Sequence, residues 1–323
     1  MKSIAFYRYL LGGLLMAITA ACSGSDDDNI VPTPTDDTPK TVRLTITQID
    51  DEGSAGVRLL DGTRATLRES GKTLAASWKA GDGLTYYNLN QHFITDQLTY
   101  VFGSLTATET ATKSSFTGDV TCSEGDKLAV IYPALDLVNN PLSNSTISSY
   151  TISLSGQDGT LNTLAKTFHH VYGVATVGEV RGTNANATMT TKSLLTVCKF
   201  SFVDKGNNNT PISVKTLSIS LANDGAYGYK NTYPQSATVT PSDNQSGVHA
   251  TPVAGSTSLT ITLTSASTEV YVAMLPTPTD ATQPISFDFT VNDGTNNYSG
   301  TAKAHLHEGK YVVATGLKLT KTN

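Results

Sequence analysis

Any chemistry in this chain has to come from three cysteines, six histidines and scattered carboxylates, so their types and spacing are considered first. His169 and His170 are adjacent, and in a strand neighbouring side chains point to opposite faces, which keeps the two rings off a common metal. His305 and His307 are spaced to share one strand face, but two imidazoles alone make a weak metal set and a solvated face is the plainer reading. Asp82, Asp126 and Asp293 each stand beside a glycine, which reads as turn chemistry before it reads as calcium binding. There is no Gly-x-Ser-x-Gly elbow, no Cys-x-x-Cys and no His-Glu-x-x-His, and no Gly-rich stretch leads into a phosphate-cradling Lys-Thr/Ser. No catalytic residue, metal ligand or cofactor is assigned, and the expectation is a protein that is not an enzyme. The formal net charge is −5, and no Lys/Arg cluster supplies the basic footprint that a nucleic-acid partner needs.

Two of the cysteines, Cys122 and Cys198, sit within strand-like patterns far apart in sequence. Buried free thiols are the expectation, with a disulfide as the alternative, because sequence does not fix connectivity.

The third cysteine belongs to the start of the chain. Residues 1–21 have the order of a secretory signal: Lys2 and Arg8, an apolar run from Tyr9 to Ile18, then Ala20 and Ala21. The run is too short to span a bilayer comfortably. Cys22 directly after Thr19-Ala20-Ala21 resembles the lipobox of bacterial lipoproteins, which implies that its thiol is acylated and that it opens the mature chain. Stable anchoring takes two acyl signals or more, and a lipobox cysteine implies enough of them. The run Ser23 to Asp28 resembles the acidic tag of surface-exposed lipoproteins of the Bacteroidota, implying outer-membrane lipid as a partner and an outward-facing body. Removal of Lys2 and Arg8 with the signal takes the charge from −5 to −7. Residues 22–40, ending in "NIVPTPTDDTPK", form an acidic, Pro-rich tether, since repeated prolines favour extended, solvated chain.

From Thr41 onward, period-two alternation dominates. "TVRLTIT", "SYTISLS", "SLTITLTS" and "ISFDFTV" each place apolar residues on one face, as half-buried strands do. "KLAVIYP" and "EVYVAMLP" are apolar on both faces and end at proline, as if each half of the chain had one central buried strand. Turn clusters such as "DKGNNN" and "VNDGTNN" separate many short strands, and no sustained helical period occurs. The fold class expected is all-β, with two antiparallel sandwiches in tandem over residues 41–190 and 191–323.

The order of "LDGTRATL", "SWKAGDGLTYYN", "SSFTGDV", "DKLAVIYPA", "EVYVAMLPT" and "EGKYVVATGLKLTK" resembles the fimbrillin family, the pilus subunits and related surface lipoproteins of the Bacteroidota. The resemblance runs from about Thr41 to the end and includes the signal. It implies two Greek-key, transthyretin-like sandwiches and export as a lipoprotein. It also implies cleavage by an arginine- or trypsin-type protease and polymerisation by strand exchange with identical or related fimbrial subunits. Strand addition takes affinity from main-chain hydrogen bonds and specificity from alternating side-chain pockets.

On that resemblance the removable strand is Thr41 to Ile49, with Val42, Leu44 and Ile46 as its apolar set. The donor strand is Tyr311 to Thr320, with Tyr311, Val313, Leu317 and Leu319 on one face. The cut falls at Arg64, in a turn marked by Asp61-Gly62, with Arg58 and Arg68 as rivals. The product is a fimbrium that adheres to a host or bacterial surface ligand. The alternative is a monomeric surface lipoprotein that binds a glycan or a host protein. A glycan site calls for exposed aromatics; at most one of Tyr86 and Tyr87 is expected to be available, and Trp78 is expected in the core.

Overall fold

The computed structural model describes residues 39–49, 66–71, 73–94, 97–138, 142–222, 231–253, 255, 257–277 and 284–322. Alternating Thr/Ser and aliphatic residues make strands almost throughout, because branched side chains pack well on a pleated surface. The first set is β1 (Lys40–Gln48), β2 (Thr66–Ser70), β3 (Thr73–Ser77), β4 (Gly83–Asn88), β5 (His92–Ile94), β6 (Gln97–Thr99), β7 (Phe102–Ala107), β8 (Ser115–Cys122), β9 (Lys127–Tyr132), β10 (Tyr150–Ser153), β11 (Val171–Arg181) and β12 (Asn184–Ser193). A helical turn, α1 (Leu161–Thr163), capped by the Thr160 side chain, runs into a π-turn at Leu164–Phe168. The second set is β13 (Thr196–Asp204), β14 (Thr210–Pro211), β15 (Val214–Leu221), β16 (Ser236–Val239), β17 (Thr251–Val253), β18 (Leu259–Ser267), β19 (Val270–Met274), β20 (Ile285–Asn292), β21 (Asn297–Ala304) and β22 (Tyr311–Thr322).

Both sets follow one pairing path. In the first, the order is β1-β12-β11-β9-β4-β7-β8; in the second it is β13-β22-β21-β20-β15-β18, with β19 on the other edge of β13. In each path of seven strands, the first runs parallel to the last and antiparallel to the fourth of the seven in chain order: β1 with β12 and β8, β13 with β22 and β19. The sequence predicts antiparallel sandwiches, and here the structure differs: β1–β12 and β13–β22 pair in parallel, and the first set closes on itself. Two residue pairs, Thr106↔Thr117 and Ala107↔Phe116, join β7 to β8 and close the seven strands into a barrel, the outcome when a twisted sheet brings its two edges together. Among the described residues the second set shows no β18–β19 pairing and joins β21 to β22 through three residue pairs.

The barrel interior holds Val42, Leu44, Ile46, Trp78, Tyr86, Phe116 and Met189. A second core fills the C-terminal strands and also takes Tyr87, Ala129, Ile131 and Tyr172 from the outer face of the barrel. That explains why β9 is apolar on both faces: Leu128 and Val130 point into the barrel, Ala129 and Ile131 into the other core. The expected equivalence of "KLAVIYP" and "EVYVAMLP" is corrected by the pairing. β9 lies between β4 and β11, the place that β20 takes in the second set, whereas β19 takes the place of β8. Tyr86 and Tyr87 are both buried, one in each core, because β4 is covered on two sides. Cys122 and Cys198 are buried free thiols.

Candidate functional site

β1 is held on both edges. It pairs with β8 from Lys40 to Thr47 and with β12 from Arg43 to Gln48, so its backbone groups are engaged on either side. Alternation sends Val42, Leu44, Ile46 and Gln48 inward, at 2%, 0%, 0% and 4% exposure. Burying three aliphatic side chains of this size stabilises by about 5–9 kcal/mol, a large share of a domain's typical margin. Gln48 is the polar exception, and it is satisfied: its Oε1 accepts the Trp78 indole N–H at 2.9 Å and its Nε2 donates to Thr191 Oγ1 at 3.1 Å. Trp78 meets Phe116 and Tyr132 edge-on. On the outer face Arg43 Nη2 donates to Thr117 Oγ1 at 3.1 Å and Nη1 to Asp119 Oδ1 at 3.5 Å. Sequence reading missed Gln48; the signal was an amide in phase with three aliphatic residues.

β22 pairs along one edge with β13, in parallel, from Tyr311 to Leu319. On its other edge β21 reaches only Thr320, Lys321 and Thr322. Between the diverging strands lies a cavity of about 80 Å³ lined by Val312, Ala314 and Leu317 of β22 and floored by Phe287 and Phe289. The expected common face of Tyr311, Val313, Leu317 and Leu319 is therefore corrected. Opposite Ser201 the strand carries an extra residue, with Gly316 at φ +69° and its N–H donating to Ser201 Oγ at 2.9 Å. Such a bulge reverses the alternation, so Val312 and Ala314 share the inward face with Leu317 and Leu319 while Val313 is 37% exposed. Tyr311 is buried by a different set of neighbours.

Those neighbours centre on Glu69, in β2. Its carboxylate accepts Tyr271 Oη at 2.7 Å, Tyr311 Oη at 2.8 Å and Lys199 Nζ at 3.0 and 3.1 Å. Lys199 also pairs with Glu269 at 2.8 Å and lies 5.6 Å from the centre of the Tyr271 ring. Burial pulls the Glu69 carboxyl upward, but the three donors outweigh it and hold it below the ordinary 4.5. Burial and the bond to Glu69 push Tyr271 up to about 12. Burial lowers Lys199, yet the two carboxylates more than compensate and raise it. The β2–β3 hairpin carrying Glu69 is seated by Leu74, fully buried in the second core, and by Leu67 against it.

Of the arginines proposed for cleavage, Arg68 lies inside that hairpin, exposed and paired with Ala75. Arg58, Arg64 and Cys22 lie outside the described residues, as do residues 1–21 and nearly all of the tether. His305 and His307 leave the strand expected for them: they belong to the β21–β22 connection, their rings stacked 6.2 Å apart at 11°. Asp82, Asp126 and Asp293 each accept turn amides, from Lys79, Ser123 and both Thr295 and Asn296. Asp126 further accepts His92 Nε2 at 2.6 Å and Asn88 Nδ2 at 2.8 Å, a buried tie between the β8–β9 turn and the end of β4. Among the described residues no group of three or more His, Cys, Asp or Glu is placed to hold a metal ion.

The architecture is an all-β one in which a barrel and a second strand set repeat one pairing path. Comparison with solved structures finds proteins of similar fold from Bacteroides and Parabacteroides. A candidate cell adhesion protein from Bacteroides uniformis superposes with a TM-score of 0.50 at 18% identity, covering 87% of this chain and 96% of its own. A candidate cell adhesion protein from Bacteroides ovatus gives 0.44 at 12%, covering 88% and 96%. A fimbrial assembly protein from Parabacteroides distasonis gives 0.43 at 12%, covering 87% and 92%. No family model matches the sequence, and no curated protein matches it.

Proposed function

We propose that this protein is a subunit of a cell-surface pilus that polymerises by replacing β1 with a strand of a neighbouring copy. The single observation that carries the reading is the seat of β1: one strand, joined to the rest of the chain through residues 50–65, fills a two-edged slot and supplies Val42, Leu44 and Ile46 to the barrel core. A cut at Arg64 or Arg58 frees that strand. Its departure bares the edges of β8 and β12 over an apolar floor, and open edges recruit another strand. Arg68 is the weaker candidate, because a protease must first open the hairpin that contains it.

The reading includes lipidation at Cys22, passage to the outer membrane and exposure on the cell surface before maturation, with identical or related subunits as partners. The two strand sets are read as tandem Greek-key sandwiches of transthyretin type, the first closed at one corner, with the change of domain near residue 190. Adhesion is the consequence of the fibre; the similarity in fold to a candidate cell adhesion protein supports a surface role without an enzymatic one.

The test is limited trypsin treatment of the Cys22→Ala protein, followed by mass spectrometry and an unboiled detergent gel. Early cleavage between residues 50 and 65 and a ladder of stable multimers are expected. Clean cleavage there with the protein still monomeric, and β1 still bound, overturns the reading. A second reading, a monomeric lipoprotein that binds a surface partner, draws on Phe93 and Leu98, cross-strand neighbours on the β5–β6 hairpin at 70% and 51% exposure.

A further inference from the structure

We propose that Glu69 is a latch that holds the start of β22 in its own sheet, and that it limits the release of that strand. The inference rests on the strand-exchange reading for its purpose but not for its geometry.

The geometry is unusual in where the bonds come from. β22 is secured by β13 on one edge, and on the other by only three residue pairs at its far end. Its first residue, Tyr311, is bonded by a side chain from outside that sheet altogether, Glu69 of the β2–β3 hairpin, 242 residues away in sequence. The same carboxylate takes Lys199 of β13, the strand paired with β22, and Tyr271 of β19, the strand on the far edge of β13. One carboxylate thus ties the hairpin to three strands of the second set.

Charge makes the latch strong. Hydrogen bonds to an ionised group are shorter and stronger than neutral ones, and Glu69 makes them with three partners. Lys199, bridging Glu69 and Glu269, offsets the two negative charges. While the hairpin stays seated by Leu74, Tyr311 is held and β22 has no free beginning from which to peel. Loss of the Glu69 bonds leaves the upper part of β22 with one paired edge and a small cavity on the other side.

The test uses the full chain in the Cys22→Ala background, uncut, with Glu69→Gln and separately Tyr311→Phe. Hydrogen exchange is followed by mass spectrometry for peptides of β22 and of β20. Both variants are expected to speed exchange across Tyr311–Leu319 by about tenfold or more, the factor that a hydrogen bond to a charged group is worth, with β20 unchanged. Unchanged β22 exchange overturns the latch, and so does an equal rise in β20, which marks general loosening. Tyr311→Phe keeps the test alive if Glu69→Gln does not fold.

Trypsin treatment then separates the latch from the function it serves. Faster ladder formation by Glu69→Gln than by the parent supports control of assembly. Loosened β22 with an unchanged ladder rate overturns that control while leaving the latch in place. No ladder from either protein overturns the pilus reading, and the control with it.

Discussion

The seat of β1 makes a quantitative prediction. After cleavage within residues 50–65, a synthetic peptide spanning Lys40 to Ile49 should compete for the slot, and Leu44 should dominate its affinity. Leu44 is fully buried among barrel residues, so Leu44→Ala removes buried methyl groups and leaves a cavity that a closed barrel does not readily collapse. Such truncations cost about 2–5 kcal/mol, and at about 1.4 kcal/mol per decade this weakens binding by roughly thirtyfold to several thousandfold. Thr47→Ala, at an exposed position of the same strand, should stay within about twofold, because surface substitutions move free energy by roughly 0.5 kcal/mol or less. The assay is fluorescence anisotropy of labelled peptide against the cleaved body. A moved register would put every inward residue outward, so the Leu44 and Thr47 peptides together read the register as well as the affinity. Equal binding by the two variants, or no binding by the parent peptide, refutes the argument.

Other outcomes follow from the same structure. Gln48→Leu strands the buried Trp78 N–H, a penalty of about 1–3 kcal/mol that should appear as a fall of several degrees in Tm with altered tryptophan emission; an unchanged Tm refutes the role given to the pair. Gly316→Val forces a β-branched residue to φ +69°, costing about 1 kcal/mol or more, and chemical denaturation should register it; neutrality would mean that the bulge is absent in solution. Burial pushes the Cys122 thiol up to about 11 and Cys198 higher still, so neither should react with a thiol reagent at pH 8 until urea is added; prompt reaction of either contradicts their placement. Glu69, held below 4.5 in the fold among Lys199, Glu269, Tyr271 and Tyr311, contributes stability that is present above that value and lost as pH falls through the depressed one; a carboxyl titration by NMR with a midpoint above 4.5 refutes the sign.

The strands were legible because their period is strict: "TVRLTIT" and "ISFDFTV" fold as β1 and β20 where alternation puts them. Long-range pairing was not. Nothing in "KLAVIYP" or "EVYVAMLP" shows which neighbour each meets, so two similar-looking buried strands take inequivalent places. β22 shows a subtler failure. Its apolar spacing is regular, yet one glycine in a left-handed conformation changes which residues face inward, and that is decided by fit to Ser201 on the partner strand. Glu69 was invisible for a related reason, because its three donors come from strands that only tertiary folding assembles.

The repeated pairing path has a consequence for the shape of any polymer. β1 and β13 occupy equivalent places, but β13 follows β12 after only Leu194 and Leu195, tethered at both ends within the chain. On the strand-exchange proposal, proteolysis upstream of β2 would vacate one place and leave its twin filled. A subunit processed in this way would carry one socket and, in β22, one plug. In the language of polymer chemistry its functionality would be two, with unlike ends, so growth would be linear, unbranched and polar, and a subunit that lacked either end would terminate it.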